Sequence, residues 1–465
     1  MTQISSQRIK QIISAPPLGT TLEIKGWLKS RRDAKGFSFL DITDGSCLQG
    51  LQVVADSGLT NYQEEIKKLT TGCCLSVRGV LQESPAKGQA AELIAEEITI
   101  HGWADAALYP LQKKRQSFEF LRTLPHLRGR TNSIGAMIRI RSRLSHAIHT
   151  FFQQHGFYEL HTPIITASDC EGAGELFTVT AMDLAHLPIT KEQQVDYSRD
   201  FFGQQASLTV SGQLEAETYA LALGNVYTFG PTFRAENSST SRHLAEFWMV
   251  EPEMAFCDLA GDMDLAEEML RFVIDDLVTS APDDLALFNR FVDKELLKRL
   301  ALLQEPFKRL SYSEAINLLL TSGQTFAYPV SWGMDLQSEH ERYLTDSLFK
   351  RPLIIYNYPK KIKPFYMRLN DDNKTVAAMD VLVPGIGEII GGSQREERLD
   401  VLTARMAQCN VPQEPYQWYL DLRRFGSAPH AGFGLGFERL VMLATGLANI
   451  RHVIPFPPTP GSAAI

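Results

Sequence analysis

The first hundred residues contain short runs in which apolar and polar positions alternate, the pattern of half-buried strands. Turn residues such as Asp44-Gly45 and Pro85 separate these runs, and a short helical stretch, YQEEIKKL, intervenes. The strand-like runs are LEIKGWLKS, FSFLDITDG, LQGLQVVA, CCLSVRGVLQ and AELIAEEITIHG. Five short strands with such turns predict a small closed β-barrel over residues 1–102.

The pattern changes near residue 131, after a connector at 103–130 that mixes proline with the basic run Lys113-Lys114-Arg115. SIGAMIRIRSRLSHAIHTFFQQHGF has apolar residues at helical spacing and predicts a helix that stops at Gly156. FYELHTPIITASD then predicts a strand that breaks at Pro163, and antiparallel strands are predicted over 208–256.

The rest of the chain predicts a mostly helical insertion at about 258–350, followed by more strands. Those strands are PLIIYNYP, FYMRLN, TVAAMDVLVP and IGEIIGGS. A helix from about 394 comes next, and a strand at 432–437 with a helix at 438–445 ends the domain. Strands that group without strict strand–helix alternation indicate an α+β fold, so we expect residues 131–465 to form an antiparallel sheet flanked by helices.

The composition narrows the class of protein. A chain of 465 residues with 44% hydrophobic residues is large enough for two or three domains. No apolar run approaches the roughly 18 to 20 residues of a membrane span, and the first residues lack an apolar signal core. Six cysteines without a CxxC pair argue against a disulfide framework or a structural zinc. We therefore expect a cytoplasmic protein with no membrane partner.

The charge balance limits the possible nucleic-acid partners. Forty-six basic against 54 acidic side chains give a net charge of −8, which argues against a general electrostatic binder and against DNA as a partner. A local basic patch can still supply phosphate contacts, so RNA is not excluded.

The stretch HAGFGLGFERLVML, residues 430–443, suggests a site that holds phosphate. It is not a dinucleotide fingerprint, because the third glycine of that motif would fall on Phe437. Gly434 and Gly436 would leave room for a flat ligand on the backbone, and Arg439 in the first helical turn could hold a phosphate. Taken alone, the stretch fits a glycine-rich strand packed under another element equally well.

The densest candidate chemistry lies at 226–256, which predicts strand, polar loop and strand. In the second strand Phe247, Glu251 and Glu253 share one face, because side chains alternate. With Arg234 and His243, such a hairpin could clamp a triphosphate and stack a purine. The alternative is a solvated hairpin with surface ion pairs.

A second pair of acids, Asp380 and Glu388, flanks a turn at Pro384-Gly385. Two acids on adjacent strands suit Mg²⁺, which binds carboxylate and phosphate oxygens together. Exposed acids on a hairpin are the alternative.

These segments resemble class II aminoacyl-tRNA synthetases over nearly the whole chain. FRAENSSTSRHLAEF resembles their motif 2, GFGLGFERL their motif 3, and the helix–strand stretch ending at Pro163 their motif 1. GWLKSRRDAKGFSFLDITDG resembles the anticodon-binding OB-fold of the aspartyl, asparaginyl and lysyl subgroup. Three segments resemble the bacterial asparaginyl branch: TVSGQLEAE, FRAENSSTSRHLAEFWMVEPE and GIGEIIGGSQREERLD.

The resemblance implies an ATP site. Gly434 and Gly436 would lie under the adenine, and Phe247 would stack on it. The phosphates would be bound by Arg234 at the α-phosphate, by His243 near the distal phosphates and by Arg439 at the γ-phosphate. Glu236 would bind the adenine amino group. Asp380 and Glu388 would hold Mg²⁺, with Glu388 preferred because the spacing of the pair is one residue longer than in aspartyl enzymes.

The resemblance also separates asparagine from aspartate. Aspartyl enzymes carry SPQLFKQ where this chain has SGQLEAE, so their pocket lysine is replaced by Ala216. Glu251 could accept from the substrate NH₂ while Arg395 donates to its oxygen, whereas an aspartate would be repelled by Glu251. Glu171, Ser211 and Gln213 would hold the α-amino group, Glu171 from the mobile loop CEGAGELF.

The implied partners are tRNA(Asn), L-asparagine and a second copy of the chain that pairs through motif 1. In the barrel, Phe39 would stack on an anticodon base, while Arg31, Arg32 and Gln52 would contact phosphates or base edges. The strand alternation leaves open whether Phe39 points outward or into the barrel. Three alternatives remain: an aspartate or dual-specificity enzyme, a ligase that makes free asparagine, and a non-enzymatic relative.

Overall fold

The computed structural model describes residues 7–86, 88–111, 116–168, 170, 176–237 and 240–463. The chain divides into two compact units, Met1–Arg139 and Ile140–Ile465. In the part of the chain that is described, no helix is long and apolar enough to cross a membrane.

The first unit contains a closed five-stranded barrel in the order β1-β2-β3-β5-β4, in which only β3 and β5 run parallel. Its strands are β1 (Thr21–Ala34), β2 (Phe37–Thr43), β3 (Leu51–Asp56), β4 (Cys74–Glu83) and β5 (Ala91–Gly102). Alternate residues such as Leu40, Ile42 and Val53 fill the interior, as the sequence pattern predicts. Short helices lie before and after the barrel, α1 (Ile9–Ser14) and α2 (Phe118–Arg122). The predicted OB-type barrel is confirmed.

The second unit is built on an eight-stranded sheet in the order β12-β13-β14-β15-β16-β11-β10-β6. The six strands from β13 to β10 are antiparallel, and the two edge strands pair in parallel. A small antiparallel sheet, β7-β9-β8, accompanies it. The strands are β6 (Tyr158–Glu159), β7 (Ile165–Thr166), β8 (Thr178–Val179), β9 (Ala206–Leu208), β10 (Asn225–Phe233), β11 (Glu246–Ala255), β12 (Lys308–Ser311), β13 (Leu353–Pro359), β14 (Thr375–Val383), β15 (Gly387–Gln394) and β16 (His430–Gly436).

Helices flank this sheet, as expected of an α+β fold. They are α3 (Asn132–Gln154), α4 (Gln213–Leu223), α5 (Leu259–Ser280), α6 (Pro282–Phe291), α7 (Leu296–Leu302), α8 (Tyr312–Leu320), α9 (Ser338–Arg342), α10 (Leu399–Gln408), α11 (Gln417–Arg424) and α12 (Phe437–Thr445). The Asp258 side chain caps α5 by accepting from the Gly261 N–H. α5 packs on β14, β15 and β16, so the helical segment is part of this unit's core.

Several predicted elements are wrong. Residues 213–223, expected within a run of strands, form α4, and the helix expected from about 394 starts at Leu399 because β15 continues to Gln394. The single strand expected around Pro163 is two short strands, β6 and β7, in different sheets. FYMRLN makes only isolated bridges, and the helical segment 258–350 also contributes β12 to the main sheet.

Candidate active site

Two paired glycines form a floor of backbone at the centre of the large sheet. Gly391 of β15 pairs with Gly434 of β16, and Asp380 of β14 pairs with Gly391 on the other side. A Cβ atom on Gly434 would lie 2.6 Å from the Cε atom of Met249 and 3.9 Å from the Cγ atom of Glu251. The far end of the Met249 side chain therefore lies against Gly434, and this flexible end would have to shift for a flat ligand to lie directly on the strand.

Arg234 and Phe247 meet at one side of this floor. The guanidinium carbon of Arg234 lies 5.5 Å from the centre of the Phe247 ring. The backbone N–H of Arg234 donates to the Ala245 carbonyl at 3.0 Å, which continues the β10–β11 hairpin beyond its last strand pair. This arrangement can hold an aromatic base against the ring and a phosphate against the guanidinium. Glu236 and His243 lie exposed in the following loop.

The two acids predicted to bind metal stand over Gly391. A Cβ atom on Gly391 would lie 3.4 Å from Oε1 of Glu388 and 3.6 Å from Oδ1 of Asp380. The Lys363 ammonium, which the sequence analysis missed, donates to both Asp380 oxygens at 3.0 Å. Burial raises the pKa of Asp380, and the positive charge of Lys363 opposes that rise. No cluster of three or more His, Cys, Asp and Glu suited to a metal occurs among the residues that the structure describes.

Arg439 lies at the end of the floor near Glu388. Its aliphatic stem passes 3.8 Å from where a Cβ on Gly436 would stand, and its Nη1 donates to the Glu388 carbonyl at 2.9 Å. The helical insertion also reaches this end, because the Glu388 N–H donates to Oε2 of Glu341 at 3.3 Å. Burial, followed by the charge of Glu388, raises the pKa of Glu341 to about 7.

Glu251 lies on the opposite side of the floor and is held from the start of α4. Ser211 Oγ donates to its Oε1, and the Gly212 N–H donates to its Oε2 at 3.0 Å. Ser211, Gln213 and Glu251 are all buried. The structure therefore brings together three of the residues predicted to bind the amino acid.

Arg395, the fourth predicted residue of this group, is fixed by Glu253. Its Nε donates to Glu253 Oε2 at 3.2 Å, its Nη2 donates to Glu253 Oε1, and its Nη1 donates to Ser393 Oγ at 2.8 Å. Burial raises the pKa of Glu253, and Arg395 opposes that rise. The sequence places Glu253 on the same face as Glu251, and this signal could have identified it.

Glu217 completes a buried ion-pair network beneath the pocket. The carboxylate has four polar neighbours: Gln213 Nε2 at 3.1 Å, the Tyr419 hydroxyl at 2.7 Å, Arg423 Nη2 at 2.9 Å and His430 Nε2 at 3.0 Å. Burial alone would raise the pKa of Glu217, but Arg423, His430 and Arg395 together hold it well below its usual value. No sequence signal identified this residue, because its partners Tyr419, Arg423 and His430 lie about two hundred positions away.

Two further residues define the electrostatics of this pocket. The oxygens of Asp262 have no hydrogen-bond partner in the described chain, and burial raises its pKa well above the usual value. Burial therefore disfavours the charged form of Asp262. Ala216, at the position where aspartyl enzymes carry lysine, is buried in a small apolar cluster with Ala220 and Val226.

Glu171, predicted to bind the α-amino group, lies outside the described residues.

The barrel residues predicted to bind an anticodon lie on strands β1, β2 and β3. Ser38 and Leu40 are buried, so Phe39 points outward, where the Arg32 guanidinium lies 4.7 Å from its ring centre. Gln52 donates to Glu92 at 2.9 Å. Arg31 is already engaged, because its Nη1 donates to the Ile66 carbonyl at 3.0 Å.

Comparison with known families gives two matches. Residues 118–460 match the family described as tRNA synthetases class II (D, K and N). Residues 22–100 match the OB-fold nucleic acid binding domain. The first match covers well over half of the chain.

Curated relatives are similar over almost the full length. An asparagine–tRNA ligase from Picosynechococcus sp. is 61% identical over 98% of this chain and 99% of its own. One from Desulfotalea psychrophila is 59% identical over the same shares. Among solved structures, asparaginyl-tRNA synthetase from Pyrococcus horikoshii, complexed with asparaginyl-adenylate, has a TM-score of 0.86 and 32% identity, with 99% of each chain covered.

Proposed function

We infer that this chain, which belongs to the class II tRNA synthetases (D, K and N), charges tRNA with asparagine. Asparagine first reacts with ATP to give asparaginyl-adenylate and pyrophosphate, and the asparaginyl group then passes to the 3′ end of tRNA(Asn). The observation that carries the amino-acid assignment is the charge of the buried pocket. Three acidic side chains, Glu217, Glu251 and Glu253, lie with two arginines, and both arginines already pair with an acid, Arg395 with Glu253 and Arg423 with Glu217.

This surplus of carboxylates favours a neutral side chain. The asparagine amide offers two N–H donors and one oxygen acceptor. Glu251 accepts from Ser211 and Gly212, and a carboxylate can also accept from the amide NH₂. Arg395 donates to the amide oxygen. An aspartate would add a negative charge, and the buried alanine at 216 offers no cation to balance it.

ATP lies on the glycine floor in this proposal. The adenine rests on Gly434 and Gly436 and stacks on Phe247, while Glu236 binds its amino group. Arg234 holds the α-phosphate, His243 approaches the distal phosphates, and Arg439 holds the γ-phosphate. Support comes from the position of Arg234 against the Phe247 ring and of Arg439 at the end of the floor.

Catalysis of the first step needs no protein nucleophile. A carboxylate oxygen of asparagine attacks the α-phosphorus in line, and the bond to the bridging oxygen of pyrophosphate breaks. Arg234 stabilises the charge that develops on the α-phosphate oxygens, and Ser211, Gln213 and Glu171 hold the α-amino group in place. The rate enhancement comes from positioning and charge stabilisation.

Glu388 and Asp380 would hold Mg²⁺, which would neutralise the phosphates of ATP. Both carboxylates overhang Gly391, which fits an ion bound by two acids and by phosphate oxygens. Because Lys363 already pairs with Asp380, Glu388 is the stronger ligand in this proposal.

We also propose that the barrel binds the anticodon. Phe39 stacks on an anticodon base, with Arg31, Arg32 and Gln52 around it.

A second copy of the chain pairs through the motif 1 region, where Tyr158, Ile164 and Ile165 are exposed apolar residues at the sheet edge. The reaction takes place in the cytoplasm, where thiols such as those of Cys73 and Cys257 stay reduced.

The deciding experiment is ATP–pyrophosphate exchange with the purified chain and no tRNA, with asparagine and aspartate compared at equal concentration. Exchange with asparagine and at least roughly 100-fold less with aspartate is expected from one badly matched buried charge. Equal exchange with aspartate would contradict the pocket argument, and no exchange with either amino acid would contradict the enzymatic assignment.

A further inference from the structure

Strand β11 continues past the end of its neighbour β16 at the ATP site. The last residues that the two strands pair are Met249 and Gly436, because β16 ends at Gly436 and α12 begins at the next residue. The backbone N–H of Trp248 lies beyond this pair and donates to Oε2 of Glu438, in the first turn of α12, at 2.9 Å. A side-chain carboxylate thus takes the place of a strand carbonyl and holds the end of β11.

Glu438 is buried and receives its counter-charge from the long helix α3. Its side chain is 1% exposed, and Arg141 Nη2 donates to its Oε1 at 2.7 Å. Burial raises the pKa of Glu438, and both Arg141 and the Trp248 N–H oppose that rise. The ion pair therefore favours the charged carboxylate, which is the stronger acceptor for the Trp248 N–H.

Arg141 is itself fixed on two further sides. Its Nη1 donates to the Val453 carbonyl at 3.2 Å, and its guanidinium carbon lies 4.6 Å from the centre of the Phe437 ring. Phe437, the first residue of α12, packs edge-on against Phe229 of β10, whose ring also meets the Trp248 ring. Helices α3 and α12 and strands β10 and β11 therefore meet around this guanidinium.

The residues that this ion pair joins are neighbours of two proposed ATP ligands. Phe247, which would stack on the adenine, precedes Trp248 in the chain. Arg439, which would hold the γ-phosphate, follows Glu438. The hydrogen bond from Trp248 to Glu438 therefore fixes Phe247 and Arg439 relative to each other.

We propose that Arg141 and Glu438 are positioning residues for ATP. The inference rests on the proposed function. The pair does not bind the nucleotide itself but holds the end of β11 against the first turn of α12, so that the Phe247 ring and the Arg439 guanidinium are in place before ATP binds. Groups that are fixed in advance lose less conformational freedom on binding, so loss of the pair weakens ATP binding. The asparagine pocket is held by other partners and keeps its affinity.

The test is Arg141→Ala, with Arg143→Ala as its matched control. Arg143 lies on the same helix and pairs with Asp276 of α5, so its loss breaks an ion pair between α3 and a different element. ATP–pyrophosphate exchange gives the KM for ATP, the KM for asparagine and kcat. The KM for ATP should rise roughly 10-fold in Arg141→Ala, the effect of one charge-assisted hydrogen bond, while the KM for asparagine and kcat change less than about 2-fold. Arg143→Ala should leave all three within about 2-fold.

Glu438→Gln is the second variant and keeps the test open if Arg141→Ala does not fold. It preserves the size of the side chain and removes its charge. Because an amide oxygen is a weaker acceptor than a carboxylate, the KM for ATP should rise roughly 5-fold, again without a matching rise in the KM for asparagine.

Three results would overturn the inference. One is a KM for ATP within about 2-fold of the unsubstituted value in Glu438→Gln, and the second is an equal rise in Arg143→Ala. The third is an equal rise in the KM for asparagine, which would mean that the pair supports the fold and not the ATP site. A failure of the proposed function is distinct, because it abolishes exchange in the unsubstituted chain. The Kd of ATP, measured by calorimetry for Glu438→Gln and Arg143→Ala, still tests the pair in that case.

Discussion

The side chains assigned to the phosphates of ATP and to Mg²⁺ are partly exposed, whereas those assigned to asparagine and their ion-pair partners are buried. Arg439 and Glu388 are 33% and 43% exposed, but Arg395 is 2% exposed and Glu217 and Glu253 are inaccessible. A phosphate chain brings enough charge to organise exposed cations around it. A neutral amide does not, so its recognition depends on groups that the protein fixes in advance.

The buried residues of the asparagine pocket therefore contribute both to substrate recognition and to folding. Arg395 and Arg423 neutralise Glu253 and Glu217, and removal of either partner leaves a charge without compensation. At the ATP end the loss of an arginine leaves no buried counter-charge behind. We therefore expect substitutions in the asparagine pocket to lower both activity and stability, and substitutions in the ATP site to lower activity alone.

The largest effect is expected for Arg395→Ala. It removes the donor to the substrate oxygen and leaves Glu253 buried without its partner. Asparagine-dependent exchange should fall on the order of 10³-fold, and the free energy of unfolding should fall by about 3 to 5 kcal/mol. Urea denaturation and exchange assays measure the two quantities. Arg424→Ala, which breaks an exposed pair with Asp421 and exposed hydrogen bonds to Gln417, is the control and should change stability by less than about 1 kcal/mol.

Arg234→Ala should lower activity while leaving the free energy of unfolding almost unchanged. The rate of adenylate formation should fall roughly 10² to 10³-fold, because the charge on the α-phosphate loses its stabilising donor. The free energy of unfolding should change by less than about 1 kcal/mol, since the half-buried guanidinium packs on the Phe247 ring. Single-turnover kinetics and urea denaturation are the measurements. A loss of stability as large as that of Arg395→Ala would contradict the distinction between the ATP site and the asparagine pocket.

The contribution of Glu217 to the free energy of unfolding should depend on pH. Its pKa in the folded chain lies below its ordinary value of 4.5, so its contribution to stability is present above pH 4.5 and is lost as the pH falls. Glu217→Gln should lower the free energy of unfolding by about 3 kcal/mol at pH 7, because Arg423 loses a buried carboxylate. The difference from the unsubstituted chain should shrink steadily from pH 4.5 downward, as Glu217 itself becomes protonated. A difference that stays constant over this range in urea titrations would mean that Glu217 is not ionised in the fold.

The contrast also explains what the sequence could predict. Arg234, Phe247 and Gly434 lie in two continuous stretches whose local geometry brings them near one another, and the structure places them around one floor. The amino-acid end depends on contacts such as Glu217 with Tyr419 and with His430, which join residues about two hundred positions apart. No local pattern encodes such pairs.

The sequence pattern failed to predict helix α4 for a similar physical reason. A surface helix shows apolar residues on its buried face and polar residues outside. α4 buries Gln213 and Glu217 together with Leu214 and Ala216, so its polar residues do not mark a solvent face and the helical period is masked. Lys363 was missed for a related reason, because its pairing with Asp380 joins two segments through the folded sheet.

The smallest effect is expected in the barrel, where Phe39→Ala should leave both ends of the site unchanged. The ring stands outward on β2 beside Arg32, and nothing in the barrel core depends on it as it does on Leu40. The loss of one stacked base should raise the KM for tRNA(Asn) roughly 10-fold, while ATP–pyrophosphate exchange stays within about 2-fold, because that reaction uses no anticodon. Aminoacylation at varied tRNA concentration measures the first quantity, and Phe37→Ala, the neighbouring ring 5.0 Å away, is the matched control. If exchange fell together with tRNA charging, the barrel would influence adenylate formation itself. If neither changed, the base would stack elsewhere on the barrel, and Gln52 on the adjacent strand would become the residue to substitute next.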